Sequence, residues 1–263
     1  MIRRFSTSSG SSIYIEEAGA GRPVLAVHGL GGGTWFFSGM ARRLAGSCRL
    51  ISVDLPGTGR SQAPLDALSI ERWIADLGEL VERDVREPVV FVGHSLGTIL
   101  ALHAAVSWPH LLRGAVFAGG LPEPLAPIKE RLAKRAEIVA QSGMEGTGAA
   151  VAAANFAPAT LARSPEMVAM FERLFEAQDP AAYARCCRIL MTASAEALVA
   201  RVRTPALSIS GADDQYAPPD HVSAFVRRIP GCAQELLPDC GHFPFLEQPG
   251  AFASLVSAFV ARL

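Results

Sequence analysis

No run of lysine or arginine, no low-complexity tract and no internal repeat interrupts the 263 residues. The signatures of a nucleic-acid-binding arm or a solenoid are therefore missing. Charge nearly cancels, with 24 Lys and Arg against 25 Asp and Glu and a formal net charge of −1 at pH 7. That balance points to neither nucleic acid nor an anionic membrane surface as a partner. No apolar stretch is long and unbroken enough to span a bilayer. The basic opening Met1-Ile2-Arg3-Arg4-Phe5 leads into a polar Ser/Thr/Gly stretch and not an apolar segment, so no signal peptide is expected. Cysteine is scarce and odd in number: Cys48, Cys186, Cys187, Cys232 and Cys240, without metal-ligand spacing. This predicts reduced thiols, no metal site and a soluble, cytoplasmic protein.

What is present is a large apolar inventory, 50% of the chain, at a length that fits one α/β domain with an insertion. Its focus is Val89-Val90-Phe91-Val92-Gly93-His94-Ser95-Leu96-Gly97. Val89–Val92 has the composition of a strand buried on both faces. Thr98 to Val106 is apolar on every side and reads as a buried helix. Between them the chain must turn sharply, with Gly93 and Gly97 removing side chains that would collide at the bend. A serine at the tip of such a turn is lifted above the sheet, over a helix N-terminus. This is the G-x-S-x-G nucleophile elbow.

Around it, strand signals fall at Arg3–Phe5, Ser12–Glu16, Val24–Val27, Leu50–Val53, Arg113–Ala118, Pro205–Gly211 and Gln234–Leu237, the first two as an antiparallel edge hairpin. Helices are expected at about Trp35–Ala45, Ile70–Arg83, Pro219–Arg228 and Pro249–Leu263. From Leu121 to Arg201 no strand signal occurs. The segment is Ala-rich, and Phe156, Met167, Met170, Phe171, Phe175, Tyr183, Leu190 and Met191 are expected to form a small core of its own. The alternation predicts a mostly parallel, doubly wound sheet of eight strands. Residues 1–120 and 202–263 form its core, and 121–201 form an inserted helical lid.

A serine hydroxyl needs a base to take its proton and a third group to orient that base. After an elbow the acid and then the histidine follow in the chain. His28, His94, His103 and His110 come too early or lie too close to Ser95. His221 falls at the start of a predicted helix, and His28 is better suited to bracing its glycine-rich loop. His242, directly beyond the last strand, can swing over the strand C-termini where ligand sites lie. The acid is expected in Gly211-Ala212-Asp213-Asp214, whose adjacent carboxylates cannot both face His242. An oxyanion would be met by the N–H of Leu96 and one from His28-Gly29-Leu30-Gly31, where Leu30 is preferred to Gly31.

Five blocks in this order resemble the α/β-hydrolase superfamily: His28-Gly29-Leu30-Gly31-Gly32, Asp54 to Ser61, Gly93 to Gly97, Gly211 to Pro218, and Gly241 to Pro249. The resemblance implies the α/β-hydrolase fold, no cofactor, and Asp214 as the orienting acid, by its spacing from Gly211 and Pro218. Asp213 is then a turn former. Some hydrolases of this fold place the acid where Glu123 stands. Tyr183-Ala184-Arg185-Cys186-Cys187 is similar to a Tyr-x-x-x-Cys feature in the lids of 3-oxoadipate enol-lactonases. The likeness stops at Met191-Thr192-Ala193-Ser194, where that family tends to carry an Arg-Asp-x-Asp run. A dianionic enol-lactone would want a lid cation, for which Arg185 and Arg188 are available. Substrate contacts are expected from Gly29, His94, Tyr183, Arg188 and Phe243.

The implied activity is hydrolysis of a small carboxylic ester or lactone through an acyl-enzyme, by a monomer or homodimer. Alternatives on the same framework are carbon–carbon bond hydrolysis of a vinylogous diketone, cofactor-free perhydrolysis, and a slow-turnover binding protein. A serine at position 95, where a dehalogenase has aspartate, disfavours dehalogenation.

Overall fold

The computed structural model describes residues 1–263. Eight strands run β1 Ile2–Ser6, β2 Ser12–Ala18, β3 Arg22–Val27, β4 Cys48–Val53, β5 Val89–His94, β6 Leu112–Ala118, β7 Ala206–Gly211 and β8 Ala233–Leu237. Their order in the single sheet is β1-β2-β4-β3-β5-β6-β7-β8. Strands β1 and β2 form the antiparallel edge hairpin, and β2 also runs antiparallel to β4. All other pairs are parallel. Every residue of β5 is buried, as a strand covered by helices on both faces requires.

The connecting helices are α1 Ser38–Leu44, α2 Ile70–Leu80 and α3 Leu96–Ser107. The helix expected from Trp35 begins as a 3₁₀ turn, Thr34–Phe37. The regular part of α2 stops at Leu80, followed by a wider turn over Val81–Val85 that Arg86 closes at φ 59°. Between β6 and β7 the chain builds only helices: α4 Ala126–Ser142, α5 Thr147–Asn155, α6 Pro158–Arg163, α7 Pro165–Glu176, α8 Pro180–Thr192 and a final 3₁₀ turn. Helices α9 Pro219–Val226, α10 Pro244–Glu247 and α11 Pro249–Ala261 complete the molecule. No helix is long and apolar enough to cross a membrane, and all five cysteines are free.

The helical segment does not keep a core to itself. Phe156, Phe171, Phe175, Tyr183 and Leu190 belong to one continuous apolar cluster with the sheet. Phe171 stacks on Phe36, with ring centroids 6.2 Å apart, and Phe156 meets Phe243 at 5.0 Å. The aromatic side chains of α7 and of the residue after α5 thus meet rings supplied by the loops at the strand ends as well as one another. Met170 stays outside this contact, 52% exposed.

Candidate active site

Ser95 ends β5 and starts α3 with φ 53° and ψ −110°, a conformation that costs an L-residue energy and persists only where its surroundings impose it. Here they do. The Ser95 N–H donates to the Ala118 carbonyl at 3.0 Å, and the Ser95 carbonyl accepts from Thr98 N–H at 2.8 Å. A side chain on Gly93 would stand 2.0 Å from the Gly97 carbonyl oxygen, and one on Gly97 would stand 2.5 Å from that of Val27. Only glycine lets strand and helix close so tightly. Thr98 adds a hydroxyl bond to the Gly93 carbonyl at 3.0 Å.

Beyond β7, Asp214 is buried at 1% exposure. Its Oδ1 accepts from the backbone N–H groups of Tyr216 and Ala217, each at 2.8 Å. Its Oδ2 accepts from His242 Nδ1 at 2.8 Å. A carboxylate fixed by two amides leaves one oxygen free to hold an imidazole, and that choice of tautomer turns Nε2 into the basic nitrogen. Asp213, half-exposed, donates its N–H to the Cys240 carbonyl and shapes the turn. No hydrogen bond joins Ser95 Oγ to Nε2; such contacts are commonly long before a substrate tightens them. Both side chains line the same two cavities.

The loop after β3 is held by His28. Its Nδ1 donates to the Gly29 carbonyl at 2.7 Å, and its Nε2 accepts from Leu55 N–H at 2.9 Å. Burial lowers the His28 pKa, with Asp54 pulling the other way, so the ring works as a neutral brace. Leu30 N–H finds no acceptor in the protein. Leu96 N–H opens α3, where a helix leaves its donors unsatisfied. Both residues border the cavities at Ser95.

The two cavities hold about 30 Å³ each, room for a few waters. One lies between Leu121, Pro124, Ile128 and Ile99, with Glu123 on its wall. The other lies between Leu30, Phe175, Leu190 and Phe243, with Arg135 and Asn155 on its wall. Glu123 thus borders the chamber, while the acid at the His242 ring is Asp214.

The remaining candidates divide. A side chain at Gly29 would lie 2.8 Å from His94 Nδ1 and 2.9 Å from Ser95 Cβ, so Gly29 packs directly on Ser95. Phe243 lines the second cavity, as does His94, although His94 is only 1% exposed. Burial, followed by the nearby His242, holds the His94 pKa well below its ordinary value. Tyr183 lines neither cavity but packs behind the second, its ring 5.4 Å from that of Phe175 and its hydroxyl accepting from Arg135 Nη1 at 3.4 Å. Arg188 is exposed and lines an outer groove with Arg185, Glu71 and His103. The reason is helical phase: Ala181, Arg185, Arg188 and Thr192 form the outward stripe of α8.

Two residues at the site have no strong local signal. Glu247 accepts four hydrogen bonds: Oε1 from the N–H groups of Gly241 and Phe243, and Oε2 from Ala157 N–H and the Thr160 hydroxyl. It clamps the residues on both sides of His242 to α6. Arg135 shares the buried face of α4 with Ile128, Leu132 and Val139, and a cation within an apolar stripe was the available sign. His242 N–H itself donates to the carbonyl of Asn155, the last residue of α5, at 2.7 Å.

Comparison with known proteins adds the following. Residues 24–255 match the model of the alpha/beta hydrolase family. The chain is 28% identical over 261 residues to a pimeloyl-[acyl-carrier protein] methyl ester esterase of Xanthomonas axonopodis pv. citri, covering 95% of this chain and 100% of that protein. It is 25% identical over 283 residues to a 2-hydroxy-6-oxo-2,4-heptadienoate hydrolase of Pseudomonas putida, covering 99% and 96%. The crystal structure of the enol-lactonase from Burkholderia xenovorans LB400 superposes with a TM-score of 0.92 at 22% identity, covering 98% and 100%.

Proposed function

The chain belongs to the alpha/beta hydrolase family, and from that premise we propose that it is a serine hydrolase cleaving a small carboxylic ester or lactone through an acyl-enzyme. The observation that carries this reading is the 2.8 Å bond from His242 Nδ1 to Asp214 Oδ2, with Ser95 and His242 walling the same cavities. Ser95 Oγ attacks the carbonyl carbon while His242 Nε2 takes its proton, and Asp214 stabilises the imidazolium. The tetrahedral oxyanion is met by the N–H groups of Leu30 and Leu96. His242 then protonates the departing alcohol, and water, deprotonated by the same imidazole, releases the acid and restores Ser95.

Residues 121–201 act as the lid, because α4, α5, α7 and α8 supply Ile128, Val151, Phe175 and Leu190 to the cavity walls. The small, apolar-lined volumes support a small substrate. The absence of disulfides among five thiols supports a reducing, cytoplasmic setting.

The test is Ser95→Ala with p-nitrophenyl butyrate. Turnover should fall by roughly 10⁶-fold with fold and ligand affinity retained; full activity in the variant overturns the mechanism. The likeness to the Pseudomonas hydrolase favours one second reading, carbon–carbon bond hydrolysis by the same three residues. Loss of the visible absorbance of a 2-hydroxy-6-oxodienoate, faster than any ester, would select it.

A further inference from the structure

Arg135 is the one arginine or lysine lining either cavity at Ser95 and His242, and it pairs with no carboxylate. Its guanidinium is held by two phenols instead: Nη1 donates to Tyr183 Oη at 3.4 Å and Nη2 to Tyr216 Oη at 3.1 Å. Burial pushes the Tyr183 phenol pKa up, so this partner is neutral and offsets none of the charge. Tyr216 links the cation to the chemistry, since its ring centroid lies 5.1 Å from that of His242. A half-buried guanidinium costs desolvation that neutral oxygens only partly restore. Its planar donors suit a carboxylate held by two parallel bonds. The cavity on the other side of Ser95 carries Glu123, which forms no ion pair and repels an anion there. Charge therefore assigns the two arms of a bound substrate: neutral and apolar toward Ile128 and Leu121, anionic toward Arg135.

Resting on the hydrolase reading above, we propose that the substrate is a small ester carrying a free carboxylate, and that Arg135 is the residue that selects it. The site lies on the inward face of α4, not among the arginines of α8. Tyr183 and Tyr216 aim the guanidinium and leave its charge for the ligand.

The experiment compares the mono-p-nitrophenyl ester of glutarate with p-nitrophenyl butyrate, a neutral ester of similar size. The wild-type protein should favour the half-ester in kcat/KM by about tenfold or more, the scale of one charge-assisted hydrogen bond. Arg135→Gln should abolish that preference by raising KM for the half-ester, with a distinctly smaller loss on the neutral ester. Arg135→Lys should retain part of the preference. Lys134→Gln, the same charge change at an exposed position of α4, should alter neither. Equal losses on both esters in Arg135→Gln would mean that Arg135 only braces the tyrosines, and overturn the proposal. So would a wild-type protein indifferent to the carboxylate. Binding separates this from the catalytic reading: glutarate, followed by calorimetry, should bind Ser95→Ala and fail to bind Ser95→Ala/Arg135→Gln. Binding that depends on Arg135 supports the site even if no ester turns over, whereas absent or unchanged binding refutes it.

Discussion

His94 Nε2 donates to the backbone carbonyl of His242 at 3.0 Å. The residue before Ser95 thus holds the main chain of His242. A carbonyl can only accept, so Nε2 carries the proton and Nδ1, buried with no partner, does not. The two rings lie 4.8 Å apart. His94→Phe keeps a ring but leaves the His242 carbonyl unsatisfied, at a cost of about 1–3 kcal/mol. Urea unfolding should show that loss, and kcat should fall with little change in KM. A variant equal to wild type in both measurements would remove His94 from any positioning role.

Ser95 holds φ 53°, a conformation costing about 1–3 kcal/mol for residues other than glycine. Ser95→Gly should therefore raise the urea midpoint, with a gain of about 1 kcal/mol after the extra freedom of glycine in the unfolded chain. Ser95→Ala, which keeps the Cβ, should not. Equal midpoints for the two variants would show that the elbow is unstrained.

Glu247→Ala removes four accepted hydrogen bonds at once. Stability should drop by about 3 kcal/mol, the scale for a charged acceptor lost from buried donors. Because Gly241 and Phe243 flank His242, kcat for an ester should fall about tenfold or more, while the KM for the same ester moves less. A drop in stability with kcat unchanged would leave Glu247 as a purely structural tie.

His28 and His94 both have pKa values lowered by burial. The unfolded chain therefore binds more protons than the folded one as pH falls through about 6.5. Stability is complete above that pH and declines below it, by up to about 1.4 kcal/mol per pH unit for each group. Unfolding midpoints at pH 7, 6 and 5 should show this slope before the carboxylates titrate, and His94→Phe should flatten it. An unchanged slope in that variant would assign the acid sensitivity elsewhere.

Much of this molecule is legible in its residues. The elbow can be read because a β-branched run, two glycines and an apolar helix occur together, and each is a local signal. His242 can be read as a candidate because the turn after β8 carries few titratable groups, whereas the turn after β7 offers both Asp213 and Asp214, and only the resemblance to the superfamily's spacing prefers Asp214. Local signals fail where meaning comes from a distant partner. Arg135 stands among Glu130, Arg131, Lys134 and Glu137, which masks its place in the stripe of Ile128, Leu132 and Val139, and its partner Tyr216 lies on another element. Arg188 misleads for the converse reason: it is near Tyr183 in sequence but on the opposite side of α8. Glu247 gathers donors from residues as far back as Ala157, which no sequence window contains. The aromatic residues of α7 could be recognised as core, but not as the same core as Phe36 and Phe245.

The bond from His242 N–H to the Asn155 carbonyl ties the helical insertion directly to the backbone of the residue that Asp214 holds. Any motion that carries α5 away from the sheet also unfastens the imidazole's own peptide. Excising the helices between β6 and β7 would therefore take away an anchor of His242 along with the cavity walls.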